Sequence, residues 1–111
     1  MTTKLTPREL LCEIALAQAM ARRFHECVVT AVCPGWVRTR MSGAGAPTDV
    51  QTGSATQVWL ATSDEPAALH SGRYMRHMRE LPTPATATDH SIQDGLLENC
   101  ARFSGAELSN P

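Results

Sequence analysis

Residues 28–39 read VVTAVCPGWVRT, and this stretch decides the fold. It begins with a continuous run of apolar and β-branched residues, which is typical of a strand buried on both faces of a parallel sheet. Pro34 and Gly35 then end the strand with a sharp turn. Ligands of α/β sheets bind beyond the carboxyl ends of the strands, so a site is expected at this turn. There the hydroxyl of Thr39 and nearby backbone N–H groups can donate hydrogen bonds to an amide or a phosphate.

A helix is predicted before the strand, over residues 7–25. Its start signal combines a capping threonine at Thr6, a proline at the first helical position, Pro7, and Glu9 three residues after the cap. Apolar residues then recur at helical spacing, at Leu10, Ile14, Ala17, Ala21 and Phe24. So broad an apolar face suits a helix that lies on a sheet.

Beyond the strand the sequence predicts a loop, two further helices, one strand and a linker. The segments are 34–48 (turn and loop), 49–61 (helix), 72–76 (strand), 81–88 (linker) and 90–104 (helix). Thr48, with Gln51 three residues later, is the capping signal of the first of these helices, and Gly105 stands at the C-cap of the second. Residues 1–111 therefore predict one α/β region of about three helices and two strands. This is the later part of a doubly wound parallel sheet, incomplete as a domain.

Composition argues against several classes of function. The chain has 111 residues, a net charge of −1 and 42% apolar residues. It has neither the basic field of a nucleic-acid-binding protein nor an apolar stretch long enough to cross a bilayer. Its start carries no secretory signal, so we expect a cytoplasmic protein without nucleic-acid or membrane partners. The four cysteines include no C-x-x-C pair and are expected to be reduced core residues; with the four histidines they show no metal-site spacing, so no metal is expected.

Residues 28–39 resemble the strand and the Pro-Gly-x-Val-x-Thr turn of short-chain dehydrogenases/reductases. Other segments are similar to carbonyl-reductase-like and retinol-dehydrogenase-like members, and they follow in the family's order. They are the glycine-rich loop 40–47, the apolar helix end 58–62, the strand 71–75 and the closing helix within 82–105, which extends the resemblance over residues 8–105. The resemblance implies the C-terminal part of a Rossmann-like fold.

The resemblance also implies a chemistry. Members of the family reduce a small carbonyl compound or oxidise an alcohol with NAD or NADP as the cofactor. In the family this turn borders the nicotinamide end of the cofactor, so the resemblance assigns cofactor contacts to Pro34, Gly35, Val37 and Thr39. A tyrosine is the general acid of that reaction, assisted by a lysine and a serine.

Most of this machinery is missing from the sequence. No Gly-x-x-x-Gly-x-Gly pattern is present to hold a pyrophosphate at a helix N-terminus. Tyr74 is the one tyrosine, and because no lysine follows it four residues later it is expected to be a strand residue with a solvated hydroxyl. Lys4 is the one lysine, and it is either a remnant of the catalytic motif, whose tyrosine would fall before Met1, or an ordinary solvated lysine. No catalytic residue is predicted to be intact.

Polar and aromatic residues near the turn leave alternatives open. Trp36 either packs on the sheet or covers a ligand. Arg38 and Arg40 either form a solvated face or reach a phosphate. A small basic cluster is explained by a surface strand edge alone; its members are Arg73, Arg76, His77 and Arg79.

Two hypotheses of function follow. In the first, the chain is a fragment of an NAD(P)-dependent short-chain oxidoreductase that is not catalytically competent alone. In the second, it is a non-enzymatic interaction module that associates with another copy or with a full-length relative through helix 7–25, which in the family often builds dimer interfaces. The unpaired edge and apolar faces expected of strand 28–33 predict a chain that is marginally stable, prone to aggregate, or completed by another chain.

Overall fold

The computed structural model describes residues 7–108. In this range the elements are α1 (Pro7–Arg23), β1 (Thr30–Val32), α2 (Val50–Thr62), β2 (Arg73–Arg76), β3 (Arg79–Leu81), α3 (Ala85–Thr88) and α4 (His90–Ser104). Lys4 and Thr6 lie outside the described residues, so the catalytic and capping roles considered for them stay predictions.

The three strands form one mixed sheet in the order β1-β2-β3. β1 runs parallel to β2, with Ala31 opposite Tyr74, and β2 runs antiparallel to β3, with Tyr74 opposite Leu81. The predicted α/β class, as part of a Rossmann-like sheet, is confirmed. The structure adds one strand, β3, and one short helix, α3, to those predicted.

β1 is shorter and less buried than its sequence predicts. The predicted strand covers 28–33, but Val29 bonds to the turn before β2: its N–H donates to Ser71 Oγ (2.9 Å) and its carbonyl accepts from the N–H of Gly72 (2.8 Å). Val28 is 48% exposed. The strand residues themselves are half-buried, because within residues 7–108 only β2 pairs with β1.

A two-residue turn joins β2 to β3, and this hairpin was not predicted. His77 and Met78 both have positive φ, 49° and 66°, the backbone of the tight hairpin turns that usually carry asparagine or glycine. The strain is compensated by α2, because the N–H of Met78 donates to the hydroxyl of Thr56 (2.8 Å). Thr56 itself is buried. The hairpin turn is therefore fixed by a tertiary contact that its own sequence does not signal.

The core lies between α1 and one face of the sheet. Ile14 and Ala15 of α1 pack with Tyr74 of β2 and Ala87 of α3. Tyr74 is a strand residue, as predicted, and the residue as a whole is only 7% exposed. Burial, with the neighbouring thiol of Cys33, raises the pKa of Tyr74. Its phenol is thus held neutral inside the core.

Helix boundaries differ from the predicted ones by one or two residues. α1 ends at Arg23 instead of residue 25, because the chain closes there into a turn in which the N–H of Cys27 donates to the carbonyl of Phe24 (3.1 Å). α2 begins at Val50, and its N-cap is Asp49 rather than Thr48, since the carboxylate of Asp49 accepts the N–H of Thr52 (2.7 Å).

Part of the segment predicted as a linker forms regular secondary structure. Within the predicted linker 81–88, Leu81 belongs to β3 and residues 85–88 form α3, whose Ala87 is fully buried. Asp89 caps α4 by accepting from the N–H of Ser91, and Gly105 ends α4 with φ 73°. Ala87 and Leu81 of the predicted linker therefore form part of the core.

A buried polar chain connects α4, α1 and the sheet. Gln93 of α4 is 1% exposed; its amide donates to the carbonyl of Ala87 (2.7 Å) and to Gln18 Oε1 (3.4 Å). Gln18 of α1 donates onward to the carbonyl of Gly72 (3.1 Å), just before β2. Arg22 donates to Gln93 Oε1 (2.8 Å) and pairs with Asp94 at the surface (3.2 Å). These bonds satisfy the buried amide and tie the three layers together.

The cysteines are not all core residues. Cys12 and Cys33 are half-buried, but Cys27 and Cys100 are exposed, because each lies on a surface that the described residues do not cover. Within residues 7–108 no group of three or more histidine, cysteine or acidic side chains could hold a metal ion. None of the helices in that range has both the length and the apolarity to span a bilayer.

A candidate cofactor turn at the end of the first strand

The predicted site lies where three segments meet at the carboxyl end of β1. The parallel ladder ends with the N–H of Cys33 donating to the carbonyl of Met75 (2.9 Å). Pro34 and Gly35 follow at once, and Gly35 has a φ of 82°, a conformation that favours glycine. The turn after β1 then approaches the start of α2 and the β2-β3 turn.

Thr48 holds the turn in place. Residues 37 and 48 form a parallel bridge, in which the N–H of Arg38 donates to the carbonyl of Thr48 (2.6 Å) and the N–H of Thr48 donates to the carbonyl of Trp36 (3.2 Å). The bridge closes residues 38–47 into a loop with fixed ends. Because Asp49 directly follows as the N-cap of α2, the turn and the helix start form one unit.

The side chain of Val37 packs the turn against α2. A Cβ atom added to Gly53 would lie 2.5 Å from Val37 Cγ2 and 3.2 Å from Cγ1, so the valine packs directly on the helix backbone. Gly53, which looks like a weak point in a helix, is therefore the residue that permits this contact. Val37 is one of the residues to which the resemblance assigns a cofactor contact. Its side chain packs against α2, while its backbone forms part of the turn.

Thr39 organises the loop after the turn. Its hydroxyl lies 3.2 Å from Ser42 Oγ and accepts the N–H of Ser42 (3.2 Å), while its own N–H donates to Ser42 Oγ (2.8 Å). Ser42 Oγ also donates to the carbonyl of Val37 (2.5 Å). Thr39 is exposed at the surface of the site. Its hydroxyl and the carbonyl of Val37 thus already have partners within the loop.

Charges of both signs lie beside the turn. Hydrogen bonds from Thr52 lower the pKa of Asp49, and the nearby Arg38 lowers it further. Arg38 also donates from Nε to the carbonyl of Ala46 (3.2 Å), across the loop. Arg40 is exposed. Of the two arginines considered for a phosphate contact, Arg38 is thus already engaged within the loop.

His77 is the residue at this site that the sequence did not identify. Its imidazole Nε2 lies 3.4 Å from the point where Gly35 would carry a Cβ, and Thr48 Oγ1 lies at the same distance from that point. The sequence suggested only a basic surface cluster. The signal that was available is the two-residue spacing between RYMR and REL, which is typical of a hairpin and would have brought residue 77 next to the end of β1.

A separate cavity of about 760 Å³ lies between α1 and α4. Its lining includes Leu16 and Met20 of α1, Leu97 of α4 and Leu108 beyond α4, and none of its lining residues belongs to the turn. It is therefore distinct from the predicted cofactor contacts at Pro34, Gly35, Val37 and Thr39.

Comparison with known proteins gives the family. The chain is 34% identical over 99 residues to the short-chain dehydrogenase chry4 of Gibberella zeae, an alignment that covers 88% of this chain and 38% of that protein. It is 35% identical over 95 residues to the short-chain dehydrogenase chyC of Penicillium rubens, covering 84% of this chain and 36% of the relative. Carbonyl reductase (NADPH) 1 of Sus scrofa is 35% identical over 66 residues, or 54% of this chain and 23% of that protein.

No protein-family model matches the sequence, and no solved structure matches it. The agreement with the two short-chain dehydrogenases nevertheless spans 88% and 84% of the chain. The chain belongs to the short-chain dehydrogenase/reductase family. It spans about 36–38% of the length of the first curated relatives it matches.

Proposed function

We propose that this chain supplies the nicotinamide-side turn, the substrate loop and the closing helix of an NAD(P)-dependent oxidoreductase acting on a small carbonyl or alcohol, and that it is not catalytically competent alone. The observation that carries the proposal is the turn at Gly35, held at the carboxyl end of β1 by the bridge to Thr48. That end of a parallel strand is where α/β sheets take their ligands.

The residues of the turn fit one end of a dinucleotide and not the other. Gly35 brings no side chain to the turn, and the position of its missing Cβ is bordered by His77 Nε2 and Thr48 Oγ1, each 3.4 Å away. Pro34, Val37 and Thr39 would contact the nicotinamide end by their places in the same turn. When bound, the cofactor would supply or accept the hydride. The sequence has no glycine-rich loop for the pyrophosphate, so the affinity of this chain for the whole cofactor should be low.

The tyrosine that the family resemblance gives as the general acid is also missing from the described residues of the site. Tyr74 belongs to the core cluster with Ile14, and burial raises the pKa of its phenol, whereas the lysine of the family's motif lowers the pKa of its tyrosine. Lys4 lies outside the described residues. We therefore expect this chain to bind and orient part of a ligand rather than to transfer a proton.

The test is a titration of the purified chain with NADH and NADPH, followed by fluorescence, with circular dichroism on the same sample. We expect a folded spectrum, no binding in the micromolar range and no oxidation of NADPH with a panel of carbonyl compounds. The carbonyl reductase from Sus scrofa, run in parallel, is the positive control. Micromolar binding with turnover would refute the claim that the chain is incompetent alone.

A second candidate, the interaction module, is favoured by the edge of β1. Because the N–H of Cys33 points to β2, alternation directs the backbone groups of Thr30 and Val32 to the opposite edge, with which no strand of residues 7–108 pairs. Thr30 Oγ1 is also buried without a hydrogen-bond partner within the described residues. Such an edge can accept a strand from another chain.

The two modes of association can be separated with one substitution. Thr30→Pro removes an N–H that points away from β2, so it should block pairing at the edge and leave the β1-β2 ladder intact. Sedimentation of the chain, alone and mixed with a full-length relative, measures association. Complexes that form equally well with Thr30→Pro would point to the predicted surface on helix 7–25 instead of the strand edge.

A further inference from the structure

The cavity of about 760 Å³ between α1 and α4 lies away from the candidate cofactor turn. Its walls are largely apolar: Leu16 and Met20 come from α1, and Leu97 and Ala101 come from α4. All four residues are only half-buried, so they present apolar surface that the described residues do not cover. Pockets of about 300–1,000 Å³ hold drug-sized ligands. The cavity therefore has the size and the lining of a site for a small apolar ligand.

The segment after α4 forms a third wall of this cavity. Gly105 ends the helix with a φ of 73°, and residues 106–108 line the cavity. The segment is held by Arg23 at the end of α1, which donates from Nη2 to the carbonyl of Leu108 (2.8 Å). Because this hydrogen bond joins the end of α1 to the segment, the third wall has a defined position.

The charged groups around the cavity are mostly acidic. Among the described residues its lining includes Asp94, Glu98 and Glu107 but a single cation, Arg23. Asp94 is paired with Arg22 (3.2 Å), whereas the side chains of the two glutamates have no hydrogen bond or ion pair within the described part of the chain. Both glutamates are exposed. Their carboxylates are thus available to a ligand.

Both helices also reach the cavity with their C-terminal turns. Arg23 is the last residue of α1 and Ser104 is the last residue of α4, and both line the cavity. The C-terminal end of a helix carries a partial negative charge and attracts cations. The helix ends and the two glutamates therefore favour a cationic ligand and oppose an anionic one.

We propose that the cavity between α1 and α4 binds a small amphiphilic cation, that is, an apolar body that carries an ammonium group. The apolar body fills the space between Leu16 and Leu97, and the ammonium group lies beside Glu98 and Glu107. The site is independent of the proposed function, because none of the residues that line it belongs to the turn after β1.

The test is an NMR titration of the ¹⁵N-labelled chain with n-hexylammonium, n-hexanol and n-hexanoate, which share one chain length and differ in charge. The cation should bind in the millimolar range and shift the amide signals of Leu16, Met20 and Leu97 but not that of Gly35. An exposed ion pair raises affinity by a factor of about two to five. The alcohol should therefore bind about two- to fivefold more weakly than the cation, and the carboxylate should bind most weakly.

Substitutions at two residues of the cavity have matched controls elsewhere in the chain. Glu98→Gln removes one carboxylate and should weaken the binding of n-hexylammonium about two- to fivefold. Glu65→Gln makes the same change of charge at an exposed residue outside the cavity and should leave the affinity unchanged. Ala101→Leu fills the cavity and should abolish the binding of all three probes, whereas Ala61→Leu, at an exposed position of α2, should not. Circular dichroism verifies that the variants fold.

Other outcomes overturn the proposal. Equal affinity for the three probes would show that charge does not select the ligand, and wild-type affinity in Glu98→Gln would refute the contact between that carboxylate and the ammonium group. Shifts spread over the whole surface, or binding that persists in a folded Ala101→Leu variant, would exclude the cavity as the site. Because the titration with NADH and NADPH concerns a different site, each of these failures leaves the proposed function unaffected.

Discussion

Replacing Gly53 by alanine tests the contact that seats the cofactor turn on α2. The added methyl would lie 2.5 Å from Val37 Cγ2, closer than real Cβ atoms approach a neighbour. Val37 cannot easily move aside, because its β-branched side chain has restricted rotamers and its backbone is bridged to Thr48. The turn and the helix must therefore shift apart, and we expect the chain to lose stability.

The size of the effect follows from two opposing terms. Alanine is favoured over glycine in a helix by about 0.5–1 kcal/mol, and inserting a methyl into a packed contact costs about 1–3 kcal/mol. Gly53→Ala should therefore lower the free energy of unfolding by roughly 1 kcal/mol, and by no more than about 2.5 kcal/mol. Gly95→Ala is the matched control, because Gly95 also lies inside a helix and a Cβ there meets nothing within 4 Å. It should raise stability by about 0.5–1 kcal/mol.

The assay is urea and thermal unfolding of both variants, followed by circular dichroism. The helix term is common to the pair, so the difference between them isolates the steric term of about 1–3 kcal/mol. In thermal unfolding this is a separation of about 4 °C or more. Val37→Ala removes both Cγ atoms, so adding Gly53→Ala to it should cost much less. Equal stabilisation by Gly53→Ala and Gly95→Ala would refute the packing of Val37 on α2.

Three further predictions concern other contacts. Thr56→Val deletes the acceptor of a hairpin amide and should lower the free energy of unfolding by about 1–3 kcal/mol in urea, whereas Thr62→Val, at an exposed helix end, should change it by less than about 0.5 kcal/mol. Gln93→Ala leaves buried partners unsatisfied and should lower the free energy of unfolding by about 1–3 kcal/mol, whereas Gln57→Ala, at an exposed position, should hardly change it. Equal losses of stability in the two variants would show that the hydrogen bonds of Gln93 do not stabilise the fold. Hydrogen bonds at the α4 cap lower the pKa of Asp89 below 3.8. The stability that this carboxylate contributes is therefore present above its pKa in the unfolded chain, and it is lost as the pH falls through its pKa in the folded chain. Asp89→Asn should therefore flatten the loss of stability from pH ~5 to pH ~3, and an unchanged slope would exclude this carboxylate.

The parts of the fold that the sequence predicts are those with local signals. A continuous apolar run gives β1, and Asp89 with Gly105 gives both ends of α4, because caps and strand cores act within a few residues. The same holds for the turn at Gly35, where a Pro-Gly pair follows the strand directly. These features depend little on what packs around them.

The parts that the sequence does not predict depend on distant contacts. His77 and Met78 are unusual residues for a tight hairpin turn, and the hydrogen bond that fixes the turn comes from Thr56 in another element. The place of His77 beside Gly35 has only a partial local signal, because the two-residue spacing indicates the hairpin but the approach also requires the parallel pairing of β1 with β2. Gly53 shows the opposite relation. Glycine is unfavourable inside a helix, but the packing of Val37 against the helix backbone requires it at this position.

The buried amide of Gln93 has a consequence for how the chain tolerates shortening. Gln18 and Arg22 of the first helix bond to this single side chain of the last helix, and Gln18 also holds the carbonyl before β2. A chain cut before residue 93 would leave Gln18 and Arg22 without these partners and would uncover the surface of α1 that α4 covers, while one cut after the helix would keep each of these three bonds. Progressive deletion from the carboxyl end should thus be harmless up to a threshold and then abolish folding abruptly. The last helix therefore stabilises the first through hydrogen bonds as well as apolar packing. A helix of similar apolarity that lacked a glutamine at position 93 could not replace it.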